Sequence, residues 1–152
     1  GARVIATAGP ALADDLRGFG ALVTDYGLGM IERVLELAGG PVEAVLDTSR
    51  AHPGRTAGGM ADLIELAGGD AKRVVTISNH VEARELGARV NLDELLASGK
   101  FPSADILNDW AALAARGEFR LPIARRVALA EWREAVELSL TNAPHDKVVL
   151  LP

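Results

Sequence analysis

Two short polar stretches, Thr48-Ser49-Arg50 and Asn79-His80, hold the residues best able to do chemistry. Each follows a run that reads as a buried strand, Val42–Asp47 and Arg73–Ser78, rich in Val and Ile. If these strands lie parallel, both stretches leave carboxyl ends, the edge where open α/β sheets bind ligands. Hydroxyl and amide groups at that edge suit hydrogen bonding to a ribose or a carboxamide. Ordinary loop polarity is the competing reading of the same residues. His52 and His80 stand just beyond the two strands, with Asp47 nearby. A metal site needs three or four converging ligands, and two histidines with one distant carboxylate fall short. There is no cysteine, so no thiolate zinc site can form from this chain. His145, beside Pro144, reads as a turn residue. Ser–His–Asp triads are set by geometry rather than spacing, so no catalytic residue, neither general acid nor general base, is assigned.

Gly27-Leu28-Gly29 is the glycine pattern with the most suggestive context. It follows the strand run Ala21–Tyr26, opens the helix run Met30–Ala38, and precedes Asp47 by 20 residues. That layout imitates a dinucleotide fingerprint. However, Glu32 occupies the third glycine position, where close helix–strand packing is needed and a carboxylate would repel phosphate. A plain strand-to-helix turn is the better reading. After the first strand run, Arg3–Ala8, the sequence Thr7-Ala8-Gly9 carries no acid. An Asp or Glu there binds the ribose hydroxyls of NAD, and its absence leaves room for the extra phosphate of NADP.

The elements that must position these residues alternate. Strand runs Arg3–Ala8, Ala21–Tyr26, Val42–Asp47 and Arg73–Ser78 are separated by helix runs Ala11–Phe19, Met30–Ala38 and Met60–Ala67. Two of those helices stop at Gly-Gly pairs. Apolar rather than alternating strands, joined by helices, imply one parallel sheet covered on both faces, an α/β fold. The last third reads as a helix from Ser103 to Arg116, with Ile106, Trp110, Leu113 and Ala114 on one face. A strand Phe119–Ile123 follows, then a helix Glu131–Leu140 with Trp132, Val136 and Leu140 inward, and a strand Lys147–Leu151. In a doubly wound nucleotide fold the first strand carries the glycine turn and the helix that receives the pyrophosphate. The expectation is a Rossmann-type sheet truncated before that strand and its glycine loop.

At 152 residues the chain is long enough for one full domain, and a net charge of −5 with interspersed signs disfavours nucleic acid as a partner. No apolar run approaches a membrane span, so a cytoplasmic, soluble domain is expected.

The order of GARVIATAG, FGALVTDY, VEAVLDTSR and RVVTISN, with the closing stretch LAARGEFRLPIARRVALAEWREAVELSLTNAPHDKVVLL, resembles the medium-chain dehydrogenase/reductase superfamily. The likeness is to its quinone-oxidoreductase-like branch and spans essentially the whole chain. It implies hydride transfer between NADPH, or alternatively NAD, and a carbonyl, enone or quinone substrate, without zinc from this chain. Cofactor contacts would fall at Thr7 and Gly9 on the adenosine end and Tyr26 near the adenosine phosphate. Thr48 and Ser49 would lie on the ribose side, and Ser78 and Asn79 on the nicotinamide side. Where related reductases carry a phosphate-binding lysine this chain has Ala13, and Arg17 would substitute one helical turn later. The resemblance also implies a partial nucleotide-binding domain over 1–118 and a segment over 119–152 that completes a catalytic domain supplied from elsewhere. The parent would bind a nicotinamide dinucleotide and a small-molecule substrate and form a homo-oligomer, while this chain alone would be inactive. A degenerate, non-catalytic nucleotide-binding or scaffold domain, and another Rossmann-like enzyme such as a methyltransferase, are the alternatives.

Overall fold

The computed structural model describes residues 1–49, 58–99, 103, 105–140 and 147–152. Arg50, His52 and His145 lie outside the described residues. The chain divides into two compact units, Gly1–Phe101 and Pro102–Pro152.

In the first unit, short strands alternate with helices. β1 (Ile5–Thr7) leads to α1 (Pro10–Gly18), where Pro10 gives up only an N–H that has no helical partner at that end. β2 (Leu22–Thr24) precedes α2 (Met30–Ala38), which presents Met30 and Val34 to the interior and stops at Gly39 in the left-handed conformation, φ 80°. β3 (Val45–Asp47) is followed by α3 (Met60–Leu66), then β4 (Val74–Thr76). α4 (His80–Leu86), β5 (Arg89–Val90) and α5 (Asn91–Ser98) complete the unit. These last three were not read from the sequence: Asn79-His80 is not a free loop but runs directly into α4. The run from His80 is short, and its buried members, Ala83 and Ala88, are too small to mark an apolar stripe.

Every strand pair is parallel, as expected of an α/β fold, but the strands do not form one sheet. β1 pairs with β2, and β3, β4 and β5 form a separate sheet in that order. Two buried clusters hold the unit. Met60, Ala67, Val74 and Val90 centre on α3 and the second sheet. Met30, Val34 and Leu66 join α2 to α3, with Ile5 of β1 and Val45 of β3 packed against them. Expected cover on both faces is incomplete: Leu46, next along β3 from Val45 and so on its opposite face, is 64% exposed.

In the second unit, α6 (Asp105–Ala115) precedes β6 (Ile123–Ala128), α7 (Trp132–Leu140) and β7 (Lys147–Leu151). β6 and β7 pair in parallel. The strand expected at Phe119–Ile123 instead begins at Ile123, because Phe119 is drawn into an edge-to-face contact with Trp110, ring centroids 5.0 Å apart. Trp132, Val136 and Leu140 were expected inward but are exposed. The small Ala135 is the buried residue of α7, and Arg133 stacks over the Trp132 ring. Among the described residues no helix is long and apolar enough to cross a membrane.

Candidate functional site

The carboxyl ends of β1 and β2 carry the first group of candidate residues. Thr7 ends β1 and is exposed, and the next N–H, that of Ala8, donates to Thr24 O at 3.0 Å. Gly9 caps α1 without side-chain help, and the Tyr26 ring lies against it. A Cβ built on Gly9 would sit 3.5 Å from Tyr26 Oη, in ordinary van der Waals contact, so the ring packs close to this helix start. Arg33, which the sequence analysis does not single out, fixes the loop carrying Tyr26. Its guanidinium donates to Thr24 Oγ1 at 3.0 Å, Leu28 O at 2.8 Å and Asp25 O at 2.9 Å. Gly29, at φ 74°, makes room for it: a Cβ there would lie 2.8 Å from Arg33 Nη1.

The second group converges at the carboxyl ends of β3 and β4, and Asp47 holds it together. Asp47 is 6% exposed and Thr76 is fully buried. Asp47 Oδ1 accepts from Ser49 N–H at 3.0 Å and from Ser49 Oγ at 2.5 Å, while Oδ2 accepts from Thr76 Oγ1 at 2.8 Å. Thr76 Oγ1 in turn accepts from the N–H groups of Ser78, at 3.1 Å, and Asn79, at 3.0 Å. Ser78 Oγ donates to Ser49 O across the two strands, and Asn79 Nδ2 donates to Glu82 Oε2. Glu82 Oε1 accepts from Met60 N–H at 3.1 Å, tying the α3 start to the same cluster. Ser49, Ser78 and Asn79 are thus brought together as expected, but their side chains are engaged in shaping the loops. Thr48 is exposed beside them. The sequence signal for the Asp47 network, an acid ending one strand and a Thr in the next, was present but equally consistent with a ribose ligand.

Arg17 is not brought to either group. It lies at the far end of α1, roughly 10 Å from the helix start at 1.5 Å per residue, and donates to Asp14 Oδ1 at 2.8 Å. The Gly27-Leu28-Gly29 turn lines a shallow pocket whose other members include Glu32 and Asp62. Two carboxylates make it a poor phosphate site, and Asp62 already accepts from Gly58 N–H at 2.5 Å. His80 Nε2 is buried without a hydrogen-bond partner at the start of α4. Asp93 carries a carboxyl held below its ordinary range, chiefly by a hydrogen bond from Arg84, with smaller contributions that include the charge of His80. Among the described residues no group of three or more acidic or histidine side chains is placed to hold a metal.

Gly9 beside the Tyr26 ring, and the polar loops at the ends of β3 and β4, are the described residues that could meet the adenosine and nicotinamide ends of a dinucleotide. The Gly27-Leu28-Gly29 turn, with Glu32 and Asp62 beside it, does not fit its pyrophosphate.

No protein-family model matches the chain, and no curated protein matches it in sequence. Solved structures do. A probable oxidoreductase from Mycobacterium abscessus is 25% identical with TM-score 0.62, matching 100% of this chain and 47% of its own. A quinone oxidoreductase from Pseudomonas syringae pv. Tomato is 20% identical with TM-score 0.61, matching 100% and 50%. An alcohol dehydrogenase superfamily protein from Novosphingobium aromaticivorans is 18% identical with TM-score 0.63, matching 99% and 49%. This chain has the fold of one half of these oxidoreductases. The result agrees with the resemblance to the medium-chain dehydrogenase/reductase superfamily drawn from the sequence, and the chain spans about half the length of the solved chains it matches.

Proposed function

We propose that this chain is part of an oxidoreductase that moves a hydride between a nicotinamide cofactor, NADPH in preference to NADH, and a carbonyl, enone or quinone substrate. The observation that carries the reading is the joining of the Thr48-Ser49 and Ser78-Asn79 loops through Asp47 at adjacent parallel strand ends. Ligands of open α/β sheets bind at that edge. When bound, the nicotinamide supplies the hydride chemistry, and the protein's part is orientation and exclusion of competing reactions.

Within this chain, Thr7 and Gly9 border the adenosine end without a competing carboxylate, Tyr26 stands near the adenosine phosphate, Thr48 and Ser49 lie on the ribose side, and Ser78 and Asn79 on the nicotinamide side. The preference for NADPH rests on the missing acid after β1. Arg17, in the last turn of α1 and paired only with the exposed Asp14 among the described residues, is the candidate cation for the extra phosphate. The pyrophosphate grip and the substrate pocket come from polypeptide outside these residues, and cytoplasmic location and homo-oligomerisation of the parent belong to the same proposal. The competing scaffold and methyltransferase readings share the fold but make different ligand demands.

Calorimetric titration of the chain with NADPH, NADH and S-adenosylmethionine tests the proposal. Weak binding ordered NADPH, then NADH, then S-adenosylmethionine supports it. Tighter binding of S-adenosylmethionine than of either dinucleotide overturns it.

A further inference from the structure

Asn79 is fixed twice over. Its N–H donates to Thr76 Oγ1 at 3.0 Å, which places its backbone just past the carboxyl end of β4. Its side-chain Nδ2 donates to Glu82 Oε2, three residues on in α4. The other carboxylate oxygen, Oε1, accepts from Met60 N–H at 3.1 Å. Both oxygens of Glu82 are thus accepting, and an ionised carboxylate has no proton to give. An amide facing it must turn its NH2 inward and its carbonyl away, and the charge makes that bond stronger than one between neutral groups. Asn79 makes no side-chain cap bond to α4, and its Oδ1 receives no donor from the described residues. Nor is that oxygen shut off from water. Among the described residues, the buried side-chain polar atom left without a partner is His80 Nε2. Asn79 Oδ1 is therefore an open acceptor beside the loops that Ser49 and Ser78 join.

We propose that Glu82 is a positioning residue that locks Asn79 as a hydrogen-bond acceptor, so that this end of the site selects a ligand carrying an N–H donor. On the hydride-transfer reading, on which the ligand's identity rests, that donor is the NH2 of the nicotinamide's primary carboxamide. A ligand that offers only a carbonyl at this place sets oxygen against oxygen and gains no bond. Sites built to bond an N–H reject analogues that lack it, because their own polar group is left unpaired. Without Glu82, Asn79 carries no such preference, since an amide free to turn over offers NH2 as readily as C=O. Replacing one carboxylate oxygen by NH2 inverts the signal. In Glu82→Gln the remaining oxygen keeps the bond from Met60 N–H, and the new NH2 donates to Asn79 Oδ1. Asn79 then turns its own NH2 outward and favours a carbonyl.

The test uses the 152-residue chain, oxidised NADP, and the 3-acetylpyridine analogue of NADP, in which a methyl ketone replaces the carboxamide. Nuclear magnetic resonance first follows the Asn79 side-chain amide in the ligand-free chain. Its protons are expected to exchange with water roughly fivefold or more slowly than those of the exposed Asn91 and Asn108. Glu82→Gln should remove that difference while Met60 N–H stays protected, which shows that the variant is folded. Titration of the parent chain should then give NADP a roughly three- to tenfold lower Kd than the ketone analogue, the worth of one neutral hydrogen bond. In Glu82→Gln the ratio should fall to about one or below. Three results overturn the proposal: an Asn79 amide that exchanges as fast as that of Asn91, equal binding of the two compounds by the parent chain, or a ratio that Glu82→Gln leaves unchanged. If both compounds bind equally and shift Thr7–Gly9, Tyr26 and Asn79 alike, the positioning role fails and the cofactor reading stands. If neither compound shifts any amide around Asn79, the cofactor reading and the proposal are both overturned.

Discussion

Asp47 shows how a single carboxylate sets the shape of a binding edge. Its two oxygens accept from Ser49 and from Thr76, whose side chain is shut off from water, and Thr76 passes the constraint to the N–H groups of Ser78 and Asn79. Asp47→Ala leaves a buried hydroxyl without its acceptor and is expected to destabilise the chain by about 1–3 kcal/mol. Asp47→Asn, which keeps one acceptor oxygen, should cost less. Urea unfolding of both variants checks this, and an Asp47→Ala variant as stable as the parent would show that the network is not under tension from burial. Gly29 makes a comparable point in the other loop. Gly29→Ala forces a positive φ on alanine and pushes into Arg33 Nη1, while Gly27→Ala meets the φ penalty alone. Thermal unfolding should therefore rank Gly29→Ala as the more costly of the two, with roughly 1–2 kcal/mol for the backbone term common to both. Sequence reasoning found the polar loops because their residue types and position after strands are local facts. It missed the roles of Asp47 and Arg33 because a strand-end acid and a helix arginine each have an ordinary solvated reading, and only tertiary contact decides.

At the scale of elements, the chain contrasts helices fixed by burial with one fixed by charge. α2 buries Met30 and Val34, whereas α5 buries no residue and is joined to its neighbours by Arg84–Asp93 and Arg89–Glu94 pairs at 2.7 and 2.6 Å. The hydrogen bond from Arg84 is the main cause holding the Asp93 carboxyl below its ordinary range, and that from Arg89 does the same for Glu94. Because the folded values lie below the unfolded ones, the pairs contribute above pH ~4 and the contribution is lost as pH falls through the lowered values. Hydrogen exchange in α5, relative to α2, is expected to quicken on acidification below pH ~4; an unchanged ratio would show that the pairs carry no weight. The same contrast explains what was readable beforehand. α2 was legible to its last residue, with an apolar stripe and a Gly39-Gly40 stop, whereas α4, β5 and α5 are brief and bury only Ala83, Val90 and no residue respectively. The positions of β1 to β4 and their parallel direction were legible from the alternation with helices. The break between β1 and β3 was not, because pairing partners are a tertiary property.

At the scale of the molecule, matches to about half of each solved oxidoreductase and a sheet open between β1 and β3 describe the same situation. In the proposed function, these residues carry the two ends of a dinucleotide site and its middle comes from other polypeptide. A pyrophosphate is usually held by backbone N–H groups at a helix start, and each charge-assisted bond is worth on the order of 1.5–3 kcal/mol. Losing two of them weakens binding by roughly two to four powers of ten, at 1.4 kcal/mol per decade. NADPH should consequently bind the 152-residue chain with no better than about millimolar affinity, with no turnover, yet at a defined place. The most direct measurement is a backbone amide shift map of the chain titrated with NADPH. Shifts gathered at Thr7–Gly9, Tyr26, Thr48–Ser49 and Ser78–Asn79 are the predicted result, and shifts centred on the Gly27–Glu32 turn, or micromolar binding there, would contradict it.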